Sequence, residues 1–138
     1  MLAIATGLGD DLVNVRPALE GANSAYVVLF HCVGMTDWWV GRHIAGRDVT
    51  RDRDAEFTAT GTVADLAAAI PAVRERYRAD LAGADLDAPI VDAGRYPEDS
   101  AARRWSKGAA LLHVVEELAQ HHGQMELTRD LLTRRTGE

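Results

Sequence analysis

The chain has 138 residues, 47% of them hydrophobic and 26% charged, with a formal net charge of −6; at this length one domain over residues 1–138 is expected, large enough to bury a core without disulfides. Its one cysteine, Cys32, forms no internal bridge, no run approaches the roughly 18 consecutive apolar residues that cross a bilayer, and no basic segment precedes an apolar run at the start. Acidic balance argues against nucleic acid, whose phosphates need clustered Lys and Arg, so the expectation is a cytoplasmic protein with neither membrane nor nucleic acid as partner.

Ahead of Pro17 only a short helical piece, from Asp10 to Val15, is supported. The segment from Ser24 to Ala45 has no proline and lies between capping residues Asn23 and Ser24 and a terminal Gly46, which predicts a long helix. At 100° per residue, Val27, Val28, Met35 and Trp38 fall within about 60° of His31, so His31 sits on an apolar stripe. Tyr26, Phe30, Val33 and Ile44 occupy the other side. A helix apolar nearly all round is buried on both faces, centrally in a bundle or against another subunit.

Gly46 to Gly61 carries Arg47, Asp48, Arg51, Asp52, Arg53, Asp54 and Glu56 with no sustained period, and reads as a solvated loop. Thr62 and Asp65 form a capping-box pattern opening a second long helix, from Val63 to Ala82, which Gly83 ends and Pro71 kinks. From Ala84 to Trp105 the chain holds Pro89, Gly94 and Pro97 and few periodic apolar positions, a long connection of the kind that covers the mouth of a site. Ser106 then caps a last helix, from Lys107 to Arg135.

That last helix carries the chemistry. With Glu117 at 0°, His121 lies at about 40°, among Ala110, Val114, Leu118, Met125 and Leu132 on the stripe that faces the core. Residues at i and i+4 stand one turn apart on one face, close enough for a carboxylate oxygen and an imidazole nitrogen to hold one ion, and His31 is the matching group on another helix. An ionised Glu facing a core demands a partner. A divalent cation held by His31, Glu117 and His121 supplies one; the alternatives are a hydrogen-bonded core histidine at 31 and an ion pair from Glu117 to an Arg such as Arg42. His113 and Gln124 flank the pair as groups that orient His121 or meet a ligand, and Met35, Trp38 and Arg42 are further candidates for the pocket wall. His43 and His122 face away and are excluded as ligands. Cys32 reads as a small buried hydrophobe.

These residues resemble a family. Ser24-x6-His31, Trp38-Trp39, Gly46-Arg47-Asp48, the run from Leu112 through Glu117, His121, Gly123 and Gln124, and Thr128-Arg129-Asp130 resemble the DinB-like superfamily over residues 16 to 132. Within it, the likeness is to the branch of mycothiol-dependent maleylpyruvate isomerase and thiol S-transferases. The resemblance implies an all-α four-helix bundle, here with a shortened or missing first helix, and a metal on the second and fourth helices matching His31, Glu117 and His121. It implies zinc, with nickel or another divalent ion as alternatives, and a low-molecular-weight thiol such as mycothiol that attacks a small-molecule electrophile. The 138 residues hold nothing that resembles a second, sterol-carrier-like domain, so the activity of the two-domain isomerase is not expected.

The shortened first helix leaves Tyr26, Phe30, Val33 and Ile44 in need of cover, and a homodimer is expected to supply it. The competing function is a non-catalytic metal-binding or stress-response bundle. A ferritin-like diiron bundle is disfavoured, since it needs Glu-x-x-His pairs on two helices.

Overall fold

Ser24 opens the central helix: its hydroxyl accepts the Val27 N–H at 3.2 Å, satisfying a first-turn donor that has no partner within the helix. In the computed structural model, which describes residues 1–133, this helix is α2 (Ala25–Thr36), and it runs on without a break as a π-helical segment, Asp37–Ile44. The other helices are α1 (Leu2–Val13), the one-turn α3 (Arg53–Glu56), α4 (Val63–Leu81) and α5 (Lys107–Thr133). The described residues contain no β-strand, only an isolated bridge between Pro89 and Ser106. No helix among them is long and apolar enough to cross a membrane. The expected end of α5 at Arg135 lies outside the described residues.

The bundle is built around α2, which packs on α1, α4 and α5. Two apolar clusters result. One joins Ile4, Ala5 and Leu8 of α1 to Tyr26, Val28 and Leu29 of α2 and to Leu66, Met125 and Leu132. The other joins Met35, Trp39, Val40 and Ile44 to Ala110 and Val114 of α5 and to Ile90 and Ala102 of the long connection.

The first helix is present and longer than the sequence suggested. It starts at Leu2, has 12 residues against 19 in α4 and 27 in α5, and is interrupted at Gly9, whose φ of 66° is not helical. Gly7 and Gly9 weaken its helical pattern, which is why only the stretch after them was legible. Tyr26 and Ile44 are buried within the chain, Tyr26 against α1 and Ile44 against the connection. Of the face that called for cover, Phe30 remains 39% exposed and Val33 half-buried. Beside it, an apolar cavity of about 410 Å³ opens between α4 and α5, with Leu29, Cys32, Val33, Ile70, Tyr77 and Leu118 in its walls.

The capping box of α4 forms as its sequence predicts: Thr62 Oγ1 accepts the Asp65 N–H at 3.1 Å and Asp65 Oδ2 accepts the Thr62 N–H at 2.8 Å. Pro71 sits inside α4 without ending it. Ser106 Oγ accepts the Ala109 N–H at 3.2 Å, while the Lys107 and Gly108 N–H groups donate to Ala88 and Leu86 carbonyls, both at 2.8 Å. The long connection thus supplies acceptors that the first turn of α5 lacks, and is fastened over that end of the bundle.

Gly46 turns the chain out of the π-helical segment at a φ of +76°, a conformation that costs an L side chain roughly 1–2 kcal/mol. Arg47 follows and clamps three elements together. Its Nε and Nη2 donate to Asp80 of α4 at 2.9 and 2.8 Å, and Nη2 also reaches Asp37 at 2.5 Å. This is the structural content of the Gly46-Arg47-Asp48 motif.

Candidate metal centre

His31, Glu117 and His121 each present one donor atom within 4.8 Å of the other two, and they form the one such group of three among the described residues. His31 comes from the middle of α2, where it is 4% exposed, and the other two from one face of α5, both half-buried. Glu117 Oε2 lies 3.5 Å from His121 Nε2, and the two imidazole rings meet edge to face at 4.9 Å.

Both histidines are oriented by their other nitrogen. His31 Nδ1 lies 2.8 Å from Glu56 Oε2, and His121 Nδ1 lies 2.9 Å from Gln124 Oε1. An oxygen acceptor at Nδ1 fixes the proton there and leaves the Nε2 lone pair free, the tautomer a metal-binding histidine needs. Gln124 therefore stands where an orienting group was expected. Arg51 Nη2 also comes within 3.3 Å of His31 Nδ1, but with that nitrogen protonated the contact carries no hydrogen bond.

Glu56 is the functional residue the sequence reading missed. The loop expected to be solvated instead folds its single turn, α3, over α2 and buries Glu56 to 4% exposure. Asp52 caps that turn by accepting the Ala55 N–H at 3.0 Å. Arg51 grips the carboxylate with two parallel bonds, Nε to Oε1 at 2.7 Å and Nη2 to Oε2 at 2.8 Å. Burial pushes the Glu56 carboxyl upward, but the Arg51 fork and the His31 N–H outweigh it, and its pKa ends below the usual carboxylate value. Burial likewise pushes the His31 pKa below its ordinary value, opposed by Glu56 and reinforced by His121, so the ring is neutral at neutral pH. Gly34, one turn beyond His31, makes room for this arrangement: a β-carbon there would collide with Glu56 Oε1. That glycine on an otherwise apolar helix is the signal that a side chain approaches closely.

A cavity of about 210 Å³ opens beside the donors, with Met35, Trp38, Trp39, Tyr96 and His113 in its wall together with His31, Glu117, Arg51 and Arg53. Tyr96 belongs to the long connection, which therefore does reach the mouth of the site. Trp39 and Tyr96 stack at 5.9 Å with planes 3° apart, and His113 fits against Trp39 and Trp105 at 5.1 and 5.0 Å. Its Nε2 faces Glu117 Oε1 at 4.0 Å.

Arg42 is elsewhere. Its guanidinium donates to Asp92 Oδ2 at 2.6 and 3.1 Å and to the Val49 carbonyl, so the alternative ion pair from Glu117 to Arg42 does not form. It approaches the cavity only across the outer face of Trp38, 5.2 Å from the ring centre. His43 is fully buried and lies outside the donor group, with Nδ1 donating to the Val91 carbonyl at 2.8 Å and Nε2 accepting the Tyr96 O–H at 2.8 Å. His122 is exposed. Cys32 is buried in the apolar cavity on the far side of α2, and burial, with Glu117 and Glu56 adding to it, pushes its thiol up to about 12, which leaves no thiolate at neutral pH.

The fold and this site define an all-helical bundle in which two imidazoles and one carboxylate converge beside a small aromatic-walled cavity. The family model for mycothiol S-transferases matches residues 1–134, and the chain belongs to that family. Its activity class is accordingly that of a mycothiol-related transferase. No curated protein and no solved structure matches the chain.

Proposed function

We propose that the chain is a metal-dependent thiol S-transferase in which a low-molecular-weight thiol of the mycothiol type attacks a small electrophile in the cavity beside His31, Glu117 and His121. The observation that carries this reading is the convergence of the three donor atoms within 4.8 Å, with both imidazoles oriented through Nδ1 by Glu56 and Gln124. Two imidazoles and a carboxylate are a donor set suited to zinc, and three protein ligands leave the open position of a catalytic centre. A divalent ion bound there would lower the pKa of a coordinated thiol so that the thiolate forms at neutral pH.

The chain's own groups do the rest. Glu117 gives the donor set its negative charge, and the Glu56–Arg51 pair holds His31 still. Trp38, Trp39 and Tyr96 supply the aromatic part of the cavity wall, against which the electrophile is held near the thiol sulfur. In the transfer a C–S bond forms, the leaving group departs with its electron pair, and the thiol proton passes to solvent. No protein nucleophile is needed, in keeping with the protonated, buried Cys32.

The test is elemental analysis of protein purified without chelator or His-tag, followed by cobalt substitution and addition of mycothiol. About one divalent ion per chain and a thiolate-to-cobalt charge-transfer band on adding mycothiol are expected. Metal without that band would indicate a closed structural site and favour a non-catalytic bundle. Absence of metal, with no thermal stabilisation on adding zinc, nickel or cobalt, would overturn the assignment of the donors.

A further inference from the structure

We propose that the apolar groove between α4 and α5 is a second binding site, one that takes a medium-chain fatty acid with its carboxylate on Arg74. The groove shares no wall residue with the cavity beside His31, Glu117 and His121, so the inference stands apart from the transferase reading. It opens because α1 packs on both α4 and α5 but is shorter than either. Past Leu2, at the start of α1, the two long helices are left apart, and Leu29 and Val33 of α2 form the floor between them. Ile70, Val73, Tyr77 and Leu81 recur along one wall at helical spacing. From Ile70 to Leu81 that wall runs about 16 Å, the length of an extended chain of about ten to twelve carbons. On the other wall Val115 is 56% exposed, apolar surface that an acyl chain would remove from water. The volume of about 410 Å³ lies within the range of small-molecule sites.

The polar groups of the groove leave one anchor. The Tyr77 hydroxyl donates to the Val33 carbonyl at 3.2 Å, and the Thr36 hydroxyl to the Cys32 carbonyl at 2.7 Å. The Cys32 thiol is protonated and uncharged. Arg74 is the one ionised side chain in the wall, which holds no carboxylate. It is exposed, and no hydrogen bond or ion pair engages its guanidinium among the described residues. The acids that flank it on α4, Glu75 and Asp80, are paired with Arg78 and Arg47. A lone cation beside an uncharged apolar groove matches a guest of complementary make-up, an anionic head on an apolar tail. The planar guanidinium takes a carboxylate in two parallel bonds while the tail follows the groove. A neutral apolar guest would leave that charge unmatched, and a small hydrophilic anion would leave the groove unfilled.

The experiment titrates the protein as purified with decanoate, hexanoate and decan-1-ol, by calorimetry at pH 7, where both acids are ionised. Decanoate is expected to bind at one site per chain and at least tenfold more tightly than hexanoate, since each buried methylene adds about fourfold. It should also bind at least tenfold more tightly than decan-1-ol, which has the tail without the charge. Arg74→Gln is expected to weaken decanoate binding at least tenfold and to leave decan-1-ol unchanged, with part of the loss recovered in Arg74→Lys. Val115→Trp, a change at an exposed position, should block both ligands. In spectra of protein labelled at the δ-methyl groups of its four isoleucines, decanoate should shift Ile70 most. Absence of saturable decanoate binding would overturn the proposal, as would equal affinity for acid and alcohol, an affinity unmoved by Arg74→Gln, or a largest shift at another isoleucine. Self-association that Val115→Trp abolishes, without uptake of decanoate, would assign the groove to a second copy of the chain instead. Arg74-dependent binding to phosphatidylglycerol vesicles, with no uptake of the free acid, would assign it to a lipid surface.

Discussion

Glu56 Oε2 accepts the proton of His31 Nδ1 at 2.8 Å across 25 positions of chain, and this one bond ties the loop between α2 and α4 to the donor set. An orienting acceptor of this kind typically changes metal affinity 10- to 100-fold. Glu56→Ala is therefore expected to weaken zinc affinity by roughly tenfold or more in a competition titration, with helicity by circular dichroism unchanged. Glu56→Gln, which keeps an acceptor oxygen, should lose less. Equal affinity in Glu56→Ala and the unaltered protein would mean that His31 is held by its helix alone.

Gly34 offers a sharper test of the same device, because it touches neither ligand nor cavity. Alanine is the better helix former by about 1 kcal/mol, and on propensity alone Gly34→Ala should stabilise α2. Its β-carbon would meet Glu56 Oε1, however, and displace the carboxylate from His31. The expected outcome is weaker zinc binding, measured by the same competition titration, with no gain in thermal stability of the metal-free protein. A stabilised variant with undiminished zinc affinity would show that Glu56 can give way without cost.

Helical periodicity made much of this molecule legible. The spacing of Glu117 and His121 and the stripe carrying His31 locate three groups that the structure places together, because donors on long helices have their directions set by the 3.6-residue repeat. The capping box of Thr62 and Asp65 is similarly local. Glu56 was not legible, since its burial depends on how an aperiodic loop folds back over α2. The π-helical segment was missed for a related reason: bonds such as Ala45 N–H to the Val40 carbonyl span five residues and advance the phase more slowly than an α-helix does. By His43 the angular count from His31 has drifted, and the structure shows that ring packed against Trp38, Trp39 and Tyr96.

His43 gives the fold a dependence on pH. Burial lowers its pKa below the ordinary value of about 6.5, with the Val91 carbonyl opposing that shift and Arg42 beside it assisting. Because the unfolded chain takes up this proton at a higher pH than the folded one, protonation favours unfolding. The contribution is intact above about pH 6.5 and is lost as pH falls from there through the lowered folded value. Urea denaturation of metal-free protein between pH 7 and 5 is expected to show a steeper loss of stability in the unaltered chain than in His43→Gln, which cannot take up that proton. Parallel curves would mean that His43 is no more basic unfolded than folded.

Arg47 joins the end of the π-helical segment to α4 and stands away from the donors. Asp80 is its main partner and has a side chain only 9% exposed, so Arg47→Ala would leave a nearly buried carboxylate without its cation. Removing one partner of such a pair leaves the other desolvated and unpaired, at a cost of about 1–3 kcal/mol, with part of the loss relieved by water because Arg47 itself is 31% exposed. The expected result is a lower midpoint in urea for Arg47→Ala at pH 7, with zinc affinity unchanged in the folded baseline. Arg47→Lys should recover only part of the loss, since an ammonium cannot reproduce the two parallel bonds to Asp80. A midpoint unmoved by Arg47→Ala would show that α4 is held to the π-helical segment by apolar packing alone, while a matching loss of zinc affinity would mean that this clamp also positions the donors.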